Sequence, residues 1–511
     1  MTRSILVVML GVALVTAIHA QPPDRTRLDA AFAAVDRLMK DYATEAHAPG
    51  AAWGVIVDGQ LAHSGVTGYR DLATRSLVDV DTVFRIASMT KSFTAMSILK
   101  LRDEGKLSLD DPAETYVPEL RALKYPTSDA PKITIRHLLS HAEGFPEDNP
   151  WGDRQLADTD QQLTEMMRAI PFSNVPGIAY EYSNFGFAIL GRMVANVSGT
   201  RYADYVAANI LRPLGMTSTT LEQKDVAPNR LALGYRWEDE RWKPEPLLSN
   251  GSFGSMGGML TTVRDLSRYV AVFLSAFPAH DGPETAPIRR ASLREMQQVW
   301  RPAPTAVGRD ANGNLQLNAG GYAYGLRVAQ SCAFRHVVSH TGGLPGFGSI
   351  MLWLPDYGIG FIAFGNVTYT SWTRVTTSAA EAFVKSASLL PRQPQPSPAL
   401  VDARDKVSRL VARWDDTLAD RIAAENLFLD QSKERRRAEI ERLQTSVGAC
   451  RPDVAAFDSV ENALRGSWTV NCEKGKLRVA ITLAPTSPPL VQYLNVRAAA
   501  AVPPRADACM P

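Results

Sequence analysis

In the first 388 residues of this 511-residue chain, the strand-like segments fall into two groups that lie far apart in the sequence. The first group is the pair of runs AAWGVIVDG and QLAHSGVTG, with the hairpin dipeptide Asp58-Gly59 between them. The second group, GYAYGLRV, HVVSHTGG, GSIMLWLP and GIGFIAFGN, begins near residue 320. Between them the pattern is mostly helical. We therefore expect the first and last strands to share one antiparallel sheet, with the middle of the chain as an insertion.

This layout predicts an α/β domain of two lobes over residues 21–388, in which helices flank the antiparallel sheet. The α/β lobe would comprise residues 27–90 and 320–388. The inserted helical lobe would comprise residues 91–319. A helix over 27–47 is expected before the first hairpin, because its apolar residues recur at helical spacing.

A smaller second domain is expected at the C-terminus. The Pro-rich segment LLPRQPQPSPA predicts a linker over residues 389–402. Two helical stretches, 403–427 and 432–447, and the strand-like runs WTVNCE, KLRVAITL and LVQYLNV predict a small α+β domain over 403–511. It contains no catalytic constellation. It could dock an unknown partner, cover the active site or stabilise the chain.

The first 20 residues are typical of a signal peptide. Arg3 gives a positive start, and the apolar run from Ile5 to Ile18 is about 14 residues long, which is too short to span a bilayer. Ala20 is the expected last residue of the signal. The sequence therefore predicts export, to the periplasm or the medium, and a mature chain without a membrane span.

Composition argues against several classes of partner. The net charge is +2 and no long basic block occurs, which disfavours nucleic acid. The four cysteines, Cys332, Cys450, Cys472 and Cys509, are too scattered for a zinc cluster, and neither metal nor cofactor is expected. In an oxidising compartment Cys450 and Cys472 are expected to pair, because both fall in the small domain. The alternative is four free, buried thiols.

Candidate chemistry begins with Ser88-Met89-Thr90-Lys91. A helix is expected to begin near Ser88 and to end at Gly105, so Ser88 and Lys91 would share a face one turn apart. The hydroxyl would then lie at the positive end of the helix dipole. A buried lysine beside a serine can have a lowered pKa and accept the serine proton.

The Ser-x-x-Lys spacing alone is a weak indication, because one chance match is expected in a chain of this length. A second match, Ser97-Ile98-Leu99-Lys100, is in fact present. It lies in the middle of the predicted helix, where the Ser97 hydroxyl can bond a backbone carbonyl. We therefore expect this second match to be structural.

Two further motifs make the first one specific. They are Tyr182-Ser183-Asn184, in AYEYSNFGFAILG, and His340-Thr341-Gly342-Gly343, in VVSHTGGLPGFGSI. In this order the three motifs resemble those of the serine β-lactamase and penicillin-binding protein family. The pattern is most similar to the class C branch, which includes DD-peptidases, D-amino-acid peptidases and esterases. The segments FRIASMTKSFTAMSILKLRDEGKLSLDDP, ITIRHLLSHAEGF and GGMLTTVRDLSRY also resemble that family, over roughly residues 27–388.

The resemblance implies roles for these residues. Ser88 would be the acylated nucleophile, and Lys91 and Tyr182 would move its proton, with either of them as the base. The backbone N–H groups of Ser88 and Gly343 would form an oxyanion hole. Asn184 would hydrogen-bond the substrate amide.

The third motif would face the carboxylate or leaving group of the substrate, through His340, Thr341 and Gly342. Most β-lactamases carry Lys-Thr-Gly here. A histidine is largely neutral near pH 7, because its unperturbed pKa is about 6.5, and it is therefore a weaker anchor for a carboxylate. This departure favours the peptidase-type members and their relatives over an efficient β-lactamase.

Other hydrolase signatures do not occur: the sequence contains no Gly-x-Ser-x-Gly elbow, no His-Glu-x-x-His and no Walker-type loop. His137 and His141 are four residues apart, but we interpret them as cap or core residues rather than metal ligands.

The resemblance therefore implies a serine hydrolase that forms a covalent acyl-Ser88 intermediate from a small-molecule or peptide substrate. That substrate would be a D-amino-acid peptide, a β-lactam or a small ester. The alternative is a non-catalytic protein that binds penicillins or peptidoglycan peptides as a sensor.

Overall fold

The computed structural model describes residues 25–309, 315–453 and 456–499. The predicted signal peptide, residues 1–20, lies outside these described residues. Among the helices that the structure describes, none is both long and apolar enough to cross a membrane.

The strands, in chain order, are β1 (Gly50–Val57), β2 (Gln60–Asp71), β3 (Ser76–Leu77), β4 (Phe84–Arg85), β5 (Tyr235–Glu238), β6 (Arg241–Pro244), β7 (Leu260–Thr261), β8 (Arg301–Pro302), β9 (Ala306–Arg309), β10 (Leu315–Tyr322), β11 (Arg327–Ser331), β12 (Val337–Leu344), β13 (Phe347–Leu354), β14 (Ile359–Gly365), β15 (Ser459–Asn462), β16 (Arg465–Asn471), β17 (Lys476–Leu483) and β18 (Val491–Ala498).

The α-helices are α1 (Arg25–Glu45), α2 (Thr90–Asp103), α3 (Ile135–Leu139), α4 (Asp160–Ala169), α5 (Asn184–Ser198), α6 (Tyr202–Val206), α7 (Gly254–Gly257), α8 (Val263–Ser275), α9 (Arg290–Glu295), α10 (Thr373–Ser386), α11 (Pro398–Ala412), α12 (Asp416–Ile422), α13 (Glu425–Asp430) and α14 (Lys433–Val447). Short 3₁₀ turns lie at Ala87–Met89, Ala113–Thr115, Pro118–Ala122, Gly152–Arg154, Gln223–Asp225 and Pro228–Arg230, and a π-helical turn at Ala207–Leu211.

One large antiparallel sheet joins the two ends of the first domain, as the sequence predicts. Its order is β3-β2-β1-β14-β13-β12-β11-β10-β8, and β9 also pairs with β10. The link is the pairing of β1 with β14, in which Ala51 lies opposite Gly365. The predicted turn at Asp58-Gly59 joins β1 to β2.

The sheet begins earlier in the second part of the chain than the predicted residue 320. The short strands β8 and β9 and most of β10 precede that residue. Helix α8 also packs directly on β1 and β14. The predicted helical lobe, 91–319, therefore includes parts of the α/β lobe. Strands β9 and β10 are largely exposed, and such strands lack the apolar run by which the central strands are recognised.

Both faces of the sheet are covered. One face packs on α2, α8 and the helical lobe, and the other packs under α1 and α10. Every residue of β13 and β14 is buried, which explains why these strands are continuous apolar runs rather than alternating ones. The three sequence motifs, at 88–91, 182–184 and 340–343, lie where the first face meets the helical lobe.

The second domain has its own core. Strands β15 to β18 form an antiparallel sheet in sequence order, and the hairpin at Lys474-Gly475 is present as predicted. Trp468 is fully buried, and its Nε1 donates to Ser408 Oγ at 2.9 Å. The predicted helix 403–427 is wrong as a single element: α11, α12 and α13 replace it, because the Asp415 side chain accepts the N–H of Leu418 and starts a new helix.

The predicted linker, 389–402, is helical in its last part. Helix α11 begins at Pro398, where a proline is tolerated, and Ser397 caps it by accepting the N–H of Leu400. The preceding residues are also held, since the Gln393 side chain accepts the N–H of Val460 at 2.9 Å.

The predicted disulfide between Cys450 and Cys472 is present. It joins the end of α14 to the end of β16, within the small domain. No cysteine among the described residues is a free thiol.

Candidate active site

Ser88 and Lys91 lie together at the start of α2. Ser88 is in the 3₁₀ turn Ala87–Met89, and Lys91 is in the first turn of α2. Lys91 is fully buried and Ser88 is 7% exposed. The Lys91 Nζ donates to Ser88 Oγ at 3.0 Å. An amine and a hydroxyl at this distance can exchange a proton directly.

Lys91 has two other strong partners. Its Nζ lies 2.6 Å from Asn184 Oδ1 and 2.9 Å from the carbonyl oxygen of Met256. Burial lowers the pKa of Lys91 to about 7, although the Asp153 carboxylate opposes that change. Near neutral pH a substantial fraction of this lysine is therefore uncharged.

Tyr182 completes the group around Ser88. It is 7% exposed, and its hydroxyl is hydrogen-bonded with Ser88. The Lys91 Nζ lies 4.9 Å from the centre of its ring. Burial raises the pKa of Tyr182 well above the ordinary tyrosine value, so the side chain is a neutral phenol.

The motif 182–184 is fixed by the N-terminus of α5. Ser183 is the N-cap and accepts the N–H of Gly186 at 3.1 Å. The Asp148 carboxylate accepts the next free N–H groups, those of Asn184 and Phe185, at 2.6 and 2.7 Å. His141 Nδ1 accepts the N–H of Ser183. The motif is therefore held both by its own helix and by the loop after α3.

Asn184 is fully buried. Its amide oxygen accepts from Lys91, and its amide nitrogen donates to Asn149 Oδ1 at 3.1 Å. Both ends of the side chain are thus engaged within the protein. In this arrangement Asn184 holds Lys91, and its predicted contact with a substrate amide stays a prediction.

Strand β12 brings the third motif to the Ser88 turn. A Cβ on Gly342 would lie 2.1 Å from the carbonyl oxygen of Ile86, so only glycine permits this approach. The pairing of β12 with β11 stops at Ser339, which leaves the strand from His340 onward with one unpaired edge. Thr341 and Gly343 therefore lie on an open strand edge beside the nucleophile.

His340 is not placed as predicted. Its side chain is 1% exposed. Its Nδ1 lies 2.6 Å from the carbonyl oxygen of Thr341, which can only accept, so Nδ1 carries the hydrogen and Nε2 accepts from the Tyr322 hydroxyl at 2.9 Å. Burial lowers its pKa to about 3. The ring is neutral and turned inward, so it does not face a substrate as the sequence suggested.

Arg327, the first residue of β11, was not predicted as a site residue. Its guanidinium carbon lies 6.0 Å from the centre of the Tyr182 ring and 5.8 Å from that of Tyr322. The residue is exposed, and no carboxylate pairs with it among the described residues. A lone arginine in a strand carries no motif, so only the fold reveals that it lies beside Tyr182.

Asp153 was missed as well. It belongs to the turn Gly152–Arg154 and is 1% exposed. Its Oδ2 accepts from the Tyr369 hydroxyl at 3.2 Å, and its Oδ1 has no hydrogen-bond partner. Burial raises the pKa of Asp153 to about 6. Asp153 and Tyr369 are more than 200 residues apart, and no local pattern connects them.

The residues that we interpreted as structural are structural. Ser97 Oγ donates to the carbonyl of Phe93 at 2.9 Å. His137 forms a capping box with Thr134 at the start of α3, and His141 is fully buried. The described residues hold no cluster of three or more metal-ligating side chains.

Comparison with known proteins gives consistent matches. Protein flp of Staphylococcus aureus (strain N315) is 28% identical over 340 residues, which cover 65% of this chain and 62% of that protein. The chain thus spans less than two thirds of that relative. The serine beta-lactamase-like protein LACTB, mitochondrial, of Bos taurus is 27% identical over 422 residues, covering 66% of this chain and 74% of that protein.

The fold also matches a solved structure, that of the octameric penicillin-binding protein homologue from Pyrococcus abyssi. The TM-score is 0.59 at 21% sequence identity, and the match covers 88% of this chain and 96% of that one. At this identity the match concerns the fold. The beta-lactamase family model matches residues 35–384, which include all three motifs. By its sequence, its fold and the grouping of Ser88, Lys91 and Tyr182, this chain belongs to the beta-lactamase family of serine hydrolases.

Proposed function

We propose that this protein hydrolyses an amide or ester through a covalent acyl-Ser88 intermediate. The observation that carries the proposal is the contact between Lys91 Nζ and Ser88 Oγ at 3.0 Å, made by a lysine whose pKa is lowered to about 7. A neutral amine at that distance can take the serine proton as the hydroxyl attacks.

Lys91 is the better candidate for the base. In the neutral amine, the acceptors on Asn184 and Met256 occupy two N–H bonds, and the lone pair is left for the Ser88 hydroxyl. Tyr182 is a neutral phenol, because its pKa is raised. It can therefore donate its proton but is a poor general base. We assign Lys91 as the acceptor of the Ser88 proton and Tyr182 as the donor to the leaving group.

The proton inventory then balances. Ser88 Oγ bonds to the carbonyl carbon while its proton passes to Lys91. The bond to the leaving amine or alcohol breaks as that group takes the Tyr182 proton, and the Lys91 proton returns to Tyr182. Water then attacks the ester: Lys91 takes a proton from the water and passes it to Ser88 Oγ, which releases the acid and restores both Ser88 and Lys91.

The developing oxyanion would be bound by the N–H groups of Ser88 and Gly343. Support comes from the unpaired edge of β12 beside the Ser88 turn, which Gly342 brings into contact with Ile86. Such donors act only as the charge develops, and each contributes on the order of 3–4 kcal/mol.

The substrate that fits best carries a carboxylate on its leaving group. Arg327 is an exposed cation beside Tyr182, the proposed donor to that group. Thr341, partly exposed on the open strand edge, offers a hydroxyl to the same carboxylate. A peptide that ends in a D-amino acid has this chemistry, so we favour a DD-peptidase-like or D-amino-acid-peptidase-like activity over a β-lactamase or an esterase.

The test is an intact-mass time course of the purified protein with a penicillin. Ser88→Ala should abolish the reaction, by about 10⁴–10⁶-fold for turnover. Ser97→Ala is the matched control, because it removes the serine of the second Ser-x-x-Lys match. A lasting adduct on the wild type and on Ser97→Ala, absent from Ser88→Ala, would support acyl transfer with slow deacylation.

Other outcomes separate the alternatives. Loss of penicillin without an adduct would indicate a β-lactamase. If penicillin stays intact and no adduct forms, the same assay is repeated with a D-alanyl-D-alanine peptide and with p-nitrophenyl acetate. If Ser88→Ala matches the wild type with every substrate, the assignment of Ser88 is wrong. If no substrate is turned over, the non-catalytic binding protein becomes the better interpretation.

A further inference from the structure

One tyrosine reaches across the site from the sheet to the helical lobe. Tyr369 follows β14, is 40% exposed and is held at a φ of 53°, a conformation that is costly for a side chain with a Cβ. Its N–H points toward the carbonyls of Leu344 and Phe347, in the turn that ends β12. The backbone of Tyr369 is therefore hydrogen-bonded to the end of β12, the strand that contains Gly343.

The Tyr369 ring lies directly on Gly343. A Cβ on Gly343 would be 2.8 Å from the Tyr369 Cδ1, so the ring occupies the space that a side chain there would fill. At its far end the hydroxyl donates to Asp153 Oδ2 at 3.2 Å. Asp153 is almost fully buried in the helical lobe and has no other side-chain partner. The ring thus closes the space between Gly343 and the turn Gly152–Arg154.

The position of Arg327 indicates whether the acyl group or the leaving group of the substrate would contact the Tyr369 ring. The leaving group has to reach Tyr182, its proposed proton donor, and Arg327 lies beside that residue. Tyr369 has different neighbours: its ring lies on Gly343 and its hydroxyl donates to Asp153. The acyl group of a substrate whose carbonyl lies at Gly343 therefore extends toward Tyr369.

We propose that Tyr369, held in place by Asp153, is the residue that limits the size of the acyl group. This inference rests on the proposed acyl transfer through Ser88. A short acyl group fits between Gly343 and the ring, whereas a long one requires the ring to leave its contact with Asp153.

The experiment compares p-nitrophenyl acetate, butyrate and octanoate, which differ only in the acyl group. Tyr369→Gly removes the ring and relieves the positive φ, and Tyr369→Asn, also tolerant of that φ, is the second variant if the first is poorly folded. Ser388→Gly is the control, because Ser388 has a φ of 52° on an exposed segment away from the site.

We expect the wild type and Ser388→Gly to prefer acetate. Tyr369→Gly should raise the octanoate-to-acetate ratio of kcat/KM by about 10-fold or more. Tyr369→Phe, which keeps the ring but loses the bond to Asp153, should give an intermediate ratio. An unchanged ratio in both Tyr369→Gly and Tyr369→Asn, with hydrolysis still dependent on Ser88, would overturn the inference and leave the proposed function intact.

A second pair of substrates tests the direction. Tyr369→Gly should leave the ratio between p-nitrophenyl butyrate and 4-methylumbelliferyl butyrate unchanged, because these differ only in the leaving group. A change confined to this pair would refute the assignment to the acyl side. If the wild type hydrolyses none of the esters in a Ser88-dependent way, this inference is overturned, and the penicillin and D-alanyl-D-alanine assays alone decide the proposed function.

Discussion

The amide oxygen of Asn184 accepts a hydrogen from Lys91 Nζ at 2.6 Å, which is shorter than the contact of the same Nζ with Ser88. Asn184 is itself the first residue of α5, and the Asp148 carboxylate binds its backbone N–H. The direction of the Lys91 amine is therefore set by a second helix rather than by the flexible lysine chain. With its direction set, the Lys91 amine can accept the Ser88 proton whenever it is uncharged.

The first prediction concerns pH. Lys91 can act as a base only when it is uncharged, and its pKa is lowered to about 7. We expect kcat/KM to fall about tenfold for each pH unit below about 7 and to level off above it. A pH profile with a neutral ester as substrate measures this. A profile flat from pH 5 to 8 would contradict the assignment of Lys91 as the base.

A carboxylate in place of the Asn184 amide should move that profile. Asn184→Asp puts a negative charge 2.6 Å from Lys91 Nζ, which favours the charged amine. We expect the acid limb to shift to higher pH and the activity at pH 7 to fall roughly tenfold or more. Asn318→Asp, in the exposed part of β10, is the control and should leave the profile unchanged.

Removal of the Tyr182 hydroxyl should slow the reaction without unfolding the protein. Tyr182→Phe keeps the buried ring but leaves the leaving group without its proton donor, so kcat should fall by about 10²–10⁴-fold. Tyr205→Phe also removes the hydroxyl of a buried tyrosine, one that has no hydrogen-bond partner, and should be neutral. Equal kinetics for the two variants would exclude Tyr182 from the proton path.

Arg327→Ala should discriminate between substrates. With a substrate whose leaving group has a carboxylate, KM should rise or kcat/KM should fall by about 10–100-fold, the usual effect of losing a charged hydrogen bond. With p-nitrophenyl acetate, which lacks that carboxylate, the kinetics should change little. A uniform loss with both substrates would mean that Arg327 supports Tyr182 instead of binding the substrate.

The disulfide of the small domain should affect stability and not catalysis. Cys450 and Cys472 are 22 residues apart. A disulfide that closes a loop of this size restricts the unfolded chain and stabilises the folded domain by about 3 kcal/mol. We expect the double variant Cys450→Ala/Cys472→Ala to lower the free energy of unfolding of that domain by about this amount in urea. The rate of acylation at Ser88 should stay the same, because this pair lies outside the catalytic domain.

Local patterns in the sequence were sufficient for much of the fold. The turn Asp58-Gly59, the start of α2 near Ser88 and the strands β12, β13 and β14 each follow from signals within a few residues. The run GYAYGLRV, predicted as one strand, instead spans the turn between β10 and β11. The decision between Ser88 and Ser97 was also local, because position relative to the helix end distinguishes the two. Errors arose where a side chain starts a new element, as Asp415 does within the predicted helix 403–427.

The remaining parts of the site depend on contacts between distant segments. Tyr369 meets Asp153, and Arg327 meets Tyr182, only after the sheet and the helical lobe have come together. The inward orientation of His340 likewise depends on Tyr322, from a strand that is two places away in the sheet. The motif identifies His340 but does not specify to which face of β12 its ring turns.

The pairing of β1 with β14 also affects how the chain acquires its structure during synthesis. Residues 50–57 find their neighbour only at residues 359–365, about 300 residues later. While the ribosome makes the intervening segment, the apolar strand β1 has only its hairpin partner β2, and one of its edges stays unpaired. Such delayed, non-local pairing slows folding and prolongs exposure of an aggregation-prone edge. Early cover of β1, by the adjoining helix or by a chaperone, would shorten that exposure until β14 has been made.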